Sequence, residues 1–170
     1  MTPPFRIALL GKEQDRKAFT SGTDALDQYL KHQAMQDQRR RVSTCYVALD
    51  GEDRIVGFYT LAALGIFLKD LPEETQKRLP RYPSIPAALL GRLAVDRRFQ
   101  GQGLGAALLA DALDRVCCAE LAVYALVVQA KDDRAVPFYR HHGFLSLPQR
   151  SETLFLPLAT WEALRGVRLQ

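Results

Sequence analysis

The sequence predicts an α/β protein with a mixed central sheet, and three observations carry that reading. Short runs of β-branched and large apolar residues alternate with stretches of helical periodicity. Two apolar runs flank Gly51-Glu52-Asp53, the mark of a strand hairpin. Near mid-chain, RLAVDRRFQGQGLGAALLADALDRV (92–116) passes from a strand through alternating glycines into a Leu/Ala stripe.

In order, FRIALL (Phe5 to Leu10) is the first strand. TSGTDALDQYLKHQAMQDQRRR opens with capping residues and carries Leu26, Tyr29 and Leu30 at helical spacing, so one helix starts near Thr23 or Asp24. TCYVALD and RIVGFYTLAALGIF form the hairpin. KDLPEETQKRLPRYPSIP, with four prolines, reads as a loop with about one helical turn, before the strand AALLGRLAV. Leu104, Leu108, Leu109, Ala112, Leu113 and Val116 then make an amphipathic stripe about four turns long. LAVYALVVQA is a buried strand, DDRAVPFYRHHGF a short helix capped by Asp132 or Asp133 and stopped at Gly143, and ETLFLPL a last strand.

Length bounds the architecture to a single domain over residues 1–170, with no repeat, linker or low-complexity tract. The first residues lack a signal-peptide pattern and no apolar run reaches bilayer length, so a cytoplasmic protein away from membranes is expected. Cys45, Cys117 and Cys118 show neither paired nor metal-ligand spacing; reduced packing thiols and no metal are expected. The net charge is +4, and 17 of the 23 basic residues are Arg, whose planar fork suits phosphate oxygens. That is compatible with a nucleic-acid partner, while an Arg-rich composition gives the same count.

A glycine turn opening a helix offers free N–H groups to a phosphate. Gly101, Gly103 and Ala106 also fit a dinucleotide fingerprint, but Asp96 to Gln100 intervene after the strand and little chain remains for a second nucleotide half. A P-loop is excluded because no Gly-Lys-Ser/Thr follows. Gln100-Gly101-Gln102-Gly103-Leu104-Gly105 resembles the acyl-CoA pyrophosphate loop of the GNAT acetyltransferases. Ala135-Val136-Pro137-Phe138-Tyr139 with Gly143-Phe144 resembles that superfamily's second motif, in the right order.

The resemblance implies a GNAT acyltransferase fold, its mixed sheet splayed at the cofactor site, and acetyl-CoA as co-substrate. It implies that backbone groups of Leu93, Ala94 and Val95 meet the pantetheine, with an oxyanion donor near Val95. The pyrophosphate falls to Gln100, Gly101, Gln102, Gly103, Leu104, Gly105 and Ala106, with charge from Arg97 and Arg98. Phe138 and Asp132 border the cofactor, and Tyr139 is the acid for the leaving thiolate. On residues alone, a glycine turn for packing, Tyr139 as a packed aromatic and Asp132 as a helix cap stay open.

The strands AALLGRLAV and LAVYALVVQA hold no carboxylate to act as base. A lysine amine, with pKa about 10.4, is almost wholly protonated at neutral pH, whereas an α-amine at about 7.7–8.0 is not. The site therefore suits an α-amine. LLGRLAVDRRFQGQGLG, AKDDRAVPFYRHHGF, TLFLPL and LPRYPSIP are similar to the TacT-type GNAT toxins that acetylate aminoacyl-tRNA and block translation. That resemblance implies a ribbon-helix-helix antitoxin as partner, operator DNA through the complex, and Arg78, Arg81 and Arg92, with Arg39 to Arg41, as tRNA phosphate contacts. Each Arg has a solvated charged face as its alternative, and a homodimer is left open. A housekeeping N-acetyltransferase of a metabolite or protein N-terminus, and a CoA-binding module without turnover, are the rival functions.

Overall fold

The computed structural model describes residues 5–166, so the domain expected over residues 1–170 extends past it at both ends. The strands are β1 (Arg6–Leu9), β2 (Thr44–Leu49), β3 (Ile55–Phe67), β4 (Ser84–Val95), β5 (Ala125–Gln129), β6 (Leu145–Leu147) and β7 (Arg150–Pro157). The helices are α1 (Asp24–His32), α2 (Ala34–Arg39), α3 (Glu73–Gln76), α4 (Leu104–Cys117), α5 (Val136–His141) and α6 (Leu158–Arg165). Hydrogen bonding orders the strands β1-β2-β3-β4-β5-β7-β6. The pairs β1/β2, β2/β3, β5/β7 and β6/β7 are antiparallel and β4/β5 is parallel, the mixed sheet expected.

Packing divides the chain into two compact units: the segment ending at Ala62 with Gly91–Ala112, and Ala63–Leu90 with the segment starting at Leu113. In the first, the hairpin sets Val47 opposite Phe58, and both join Leu10, Phe19, Tyr29 and Leu30 in one core. Its turn is closed by Asp50, whose Oδ1 accepts the N–H groups of Glu52 and Arg54, each at 2.9 Å. The single helix expected after Thr23 is instead two, parting at Gln33 (φ −125°). Tertiary bonds hold the second piece: Gln38 Nε2 donates to the Leu10 carbonyl and its Oε1 accepts from Cys45 N–H, both at 2.9 Å, while the Tyr29 hydroxyl donates to Asp37 at 2.8 Å.

The second unit packs Ile66, Leu71, Ile85, Val127 and Phe155 together. Here β4 begins at Ser84, earlier than its apolar run suggests, and carries Pro86, whose carbonyl accepts Tyr124 N–H at 2.8 Å. The strand expected over Leu121–Ala130 shrinks to β5, with Leu121 exposed. Neither β6 nor α6 is expected from sequence. The helix α6 ends at Gly166 (φ +66°) and is held by Trp161 Nε1, which donates to Asp114 at 2.9 Å.

All six residues of the α4 stripe are buried. Cys45 is buried too, and burial pushes its thiol up to about 12, in line with the packing role expected, whereas Cys117 is half-buried and Cys118 exposed, so that role does not extend to Cys118. No described helix is long and apolar enough to cross a membrane.

Candidate active site

The glycine loop lies in the first unit. Pairing of β4 with β5 stops at Leu90 opposite Val128, yet β4 runs on to Val95, so Leu93, Ala94 and Val95 lie past the last β4/β5 pair. That is the interruption a splayed sheet requires. Asp96 follows, then a 3₁₀ turn at Arg97–Phe99, then Gly101 (φ +78°) and Gly103 (φ +85°). Left-handed backbone at both positions favours glycine for a steric reason. Ala107 N–H is the first amide of α4 to bond back, to the Gly103 carbonyl at 3.1 Å. The N–H groups of Leu104, Gly105 and Ala106 thus open the helix at its positive end, as an anion site needs.

A buried carboxylate fixes this loop, and sequence reasoning missed it. Asp96 is fully buried; its Oδ1 accepts Arg98 N–H and Nε, each at 3.0 Å, and its Oδ2 accepts Thr20 N–H at 3.2 Å. Burial alone would raise its pKa, but the bonds from Arg98 and Thr20 and the Arg98 charge hold it below the ordinary carboxylate value. The Thr20 carbonyl accepts Arg97 N–H at 2.8 Å, and Gln100 Nε2 donates to the carbonyls of Ser21 (2.8 Å) and Val95 (2.9 Å). Ser21 in turn donates N–H and hydroxyl to buried Asp27, at 2.9 and 2.6 Å. The loop is stapled to the entry of α1. An Asp directly after a strand and two residues before an Arg was the available signal.

The staple changes what three expected site residues can do. The Arg98 guanidinium is paired with Asp96, and the Gln100 side chain is committed to two carbonyls. Gln102 Nε2 donates to the Arg98 carbonyl at 3.3 Å. What these positions offer an anion is chiefly backbone N–H.

Tyr139 lies in the second unit on α5, whose Pro137 sits in the first turn. Gly143 (φ +94°) ends the helix as expected, while Phe144 N–H and His142 N–H return to the Tyr139 carbonyl at 3.1 and 3.0 Å. The Tyr139 ring meets Phe138 and Phe144 edge-on, with centroids 5.1 and 5.6 Å apart. It is 7% exposed, and burial pushes its phenol up to about 12. Among the described residues no hydrogen bond engages that hydroxyl. Asp132 Oδ1 accepts the N–H groups of Arg134 (3.0 Å) and Ala135 (3.1 Å). It caps the turn leading into α5 rather than the helix itself, whose N-cap is Ala135.

Of the expected phosphate contacts, Arg78 and Arg81 are exposed on the second unit, and Arg39, Arg40 and Arg41 on the first. Arg92 is different: its guanidinium sits 3.5 Å from the Tyr29 ring centroid, a cation–π contact, beside a cavity of about 410 Å³ between α1 and β4. A second hollow of about 630 Å³ gathers Lys12, Arg16, Lys17, Lys31 and His32 against one carboxylate, Asp15. They come from two short stretches, 12–17 and 31–32, that folding brings together. Among the described residues, no His, Cys, Asp and Glu group could hold a metal ion.

The family model of the acetyltransferase (GNAT) domain matches residues 41–145. A tRNA-acetylating toxin of Mycobacterium tuberculosis is 38% identical over 155 residues, 89% of this chain and 91% of that protein. A probable toxin TacT of Sinorhizobium fredii is 33% identical over 162 residues, 89% and 90% of the two chains. The solved structure of AtaT complexed with acetyl-methionyl-tRNAfMet superposes with a TM-score of 0.88 at 33% identity, covering 95% of this chain and 99% of that one. The crystal structure of AtaTR bound with acetyl-CoA superposes with a TM-score of 0.83 at 31% identity, covering 95% of this chain and 98% of that one. With a family model matched over more than half of its length and relatives alike over about nine-tenths of theirs, the chain belongs to the GNAT acetyltransferase family.

Proposed function

We propose that this protein transfers the acetyl group of acetyl-CoA to the α-amine of an aminoacyl-tRNA, as a toxin that blocks translation. The observation that carries the reading is likeness to a tRNA-acetylating toxin over 89% of the chain, a span that includes the glycine loop and the Tyr139 helix. The backbone N–H groups from Gly101 to Ala106 bind the pyrophosphate, Leu93, Ala94 and Val95 meet the pantetheine, and an N–H near Val95 faces the oxyanion. Phe138 and Asp132 border the cofactor.

In the reaction the neutral amine attacks the thioester carbonyl carbon, an N–C bond forms and the C–S bond breaks. A phenol at about 12 is a poor outright proton donor to a thiolate whose thiol has a pKa of about 8.5; the difference costs roughly 5 kcal/mol. Tyr139 therefore acts as a neutral hydrogen-bond donor that stabilises the departing sulfur and passes its proton on only as the ammonium proton of the acceptor replaces it. The products are an N-acetylated aminoacyl-tRNA and free CoA thiol. With no carboxylate on β4 or β5, the acceptor must supply its own neutral fraction.

Arg78, Arg81 and Arg92, together with the hollow between Lys12 and His32, hold tRNA phosphates. A ribbon-helix-helix antitoxin is the expected partner, with operator DNA bound through the complex. The reading sets the protein in the cytoplasm, where charged tRNA is found, as a single domain and with a homodimer allowed. Incubation with acetyl-CoA and bulk charged tRNA, followed by mass analysis of the aminoacyl species, tests it: one or more N-acetylated aminoacyl-tRNAs are expected. Acetylation of a metabolite or a protein N-terminus in their place overturns it.

A further inference from the structure

We propose that the hollow between α1 and Arg92 of β4 seats the 3′-terminal nucleobase of the charged tRNA, stacked on the Arg92 guanidinium, with the preceding phosphates led along the basic hollow beside it; this rests on the tRNA reading above. The place follows from β4. Arg92 immediately precedes Leu93–Val95, the stretch that runs on past the last β4/β5 pair. Three residues of strand, at about 3.3 Å each, put it roughly 10 Å from Val95. In a charged tRNA the terminal base and the reacting amine are joined through one ribose and one ester, a span of that order. Arg92, Val95 and α1 all belong to the first unit.

Arg92 presents a flat surface there. Its guanidinium carbon lies 3.5 Å from the Tyr29 ring centroid, a separation at which an edge-on approach would drive a nitrogen into the ring, so the group lies flat upon it. Tyr29 is held in place beneath: it is 5% exposed, its hydroxyl donates to Asp37 at 2.8 Å, and its ring runs within 17° of parallel to Phe58. With one face on Tyr29, Arg92 turns the other to the hollow, whose wall it shares with Leu26, His32 and Gln33. A platform ordered before its ligand arrives loses little entropy on binding.

The lining selects among occupants. At about 410 Å³ the hollow falls within the roughly 300–1,000 Å³ of small-ligand sites, and no carboxylate lines it. Among the described residues Arg92 makes no ion pair, and the Gln33 side-chain amide and the His32 ring make no hydrogen bond. A base stacks on a guanidinium plane and presents an edge of donors and acceptors to those two side chains. An aliphatic amino-acid side chain in the same place would cover the Arg92 charge without a counter-charge. His32 also lines the second hollow, where Lys12, Arg16, Lys17 and Lys31 gather. The two hollows adjoin at that residue, so a strand whose last base lies on Arg92 meets cations with its preceding phosphates.

The test first changes the RNA and leaves the protein whole. For the wild type, an aminoacylated acceptor minihelix whose 3′-terminal nucleotide lacks its base is expected to show a KM roughly 5- to 100-fold above that of one ending in adenosine, the size of a lost base stack, with the acetyl-CoA KM unchanged. Arg92→Lys keeps the charge and loses the plane. It raises the KM of the intact minihelix by a similar factor, and removing the base then adds less than about twofold, because both changes delete one contact. The slope of log K against log[salt] is that of the wild type in Arg92→Lys and falls by about 0.7 in Lys17→Ala. Equal KM with and without the base, or multiplication of the two effects in full, overturns the proposal. So does an Arg92→Lys effect that follows the amino acid carried by the RNA and not the base, which assigns the hollow to the amino-acid side chain. An unchanged slope in Lys17→Ala overturns the phosphate path. If the wild type acetylates no charged RNA, the functional reading fails, and fluorescence anisotropy with an uncharged tetranucleotide ending in CCA, against the same strand with an abasic end, still decides the hollow. Tighter binding of the intact strand, lost in Arg92→Lys, supports the proposal, and equal binding overturns it.

Discussion

At the scale of single residues, Tyr139 and Asp96 carry opposite pKa shifts with different consequences. Tyr139 is raised by burial, so its phenol stays neutral from pH 6 to 9. The pH profile of kcat/KM should then rise with deprotonation of the acceptor α-amine, which the adjoining ester holds below the ordinary α-amine value of about 7.7–8.0, and show no falling limb by pH 9. A falling limb in that range would assign the acid to another group. Tyr139→Phe keeps the ring contacts with Phe138 and Phe144, so acetyl-CoA affinity should hold while turnover drops about 10²- to 10⁴-fold, read as CoA thiol release at saturating substrates. Asp96 is shifted down. Its contribution to stability is fully present above the unfolded value of about 3.9 and is lost as pH falls through the lower folded value. Asp96→Asn should therefore flatten the acid limb of a melting-temperature profile. At neutral pH it should cost about 1–3 kcal/mol, because Arg98 and Thr20 lose their charged acceptor. If the staple positions the loop, the same variant raises the acetyl-CoA KM more than the acceptor KM.

At the scale of elements, the junction from β4 to α4 is where sequence and structure meet most closely. The alternating glycines predict a strand-to-helix turn, and the left-handed backbone at Gly101 and Gly103 is the reason those positions are glycine. Any side chain at Gly103 introduces strain of about 1–2 kcal/mol, so a charge effect must be measured against that background. Gly103→Ala carries the strain alone; Gly103→Glu adds a negative charge at the proposed pyrophosphate site. Calorimetric titration should show acetyl-CoA binding abolished in the Glu variant and retained, though weakened, in the Ala variant. Equal affinity of the Glu variant and wild type would sink the pyrophosphate assignment. Elements with weaker local signals were less legible. The helix break at Gln33 leaves the apolar period of Leu26, Tyr29 and Leu30 intact, and β6 is only three residues long. For α6, a tertiary bond from Trp161 to Asp114 stabilises what a short stripe does not announce.

At the scale of the whole molecule, the substrate reading makes two independent demands. If arginines hold tRNA phosphates, log K against log[salt] should fall by about 0.7–0.9 per phosphate neutralised, and a small amine acceptor should show almost none of this. Arg78→Ala is the clean variant for that test, since Arg78 is exposed. Arg92 is not, because Arg92→Ala also uncovers the Tyr29 ring. Arg78→Ala should raise the tRNA KM and leave the acetyl-CoA KM alone. The absent strand carboxylate adds that lysine side chains of a basic peptide are poor acceptors beside charged tRNA; a preference for the peptide would remove the toxin reading.

The sequence alone determined the α/β class, the hairpin, the α4 stripe, the glycine turn that opens α4 and the short helix that carries Tyr139. Each of these is written in residues close together in the chain, where periodicity, glycine placement and motif spacing are local properties. Only the tertiary structure decided that Asp96 and Gln100 staple the loop to the entry of α1, that Arg98 is paired rather than free, and that Arg92 lies on Tyr29. It likewise gathered Lys12, Arg16, Lys17, Lys31 and His32 into one hollow. These depend on contacts between residues as many as 79 positions apart, and on which faces the core leaves over once it is filled. No window of sequence contains that information, because burial and partner choice are set by the packing of the whole chain.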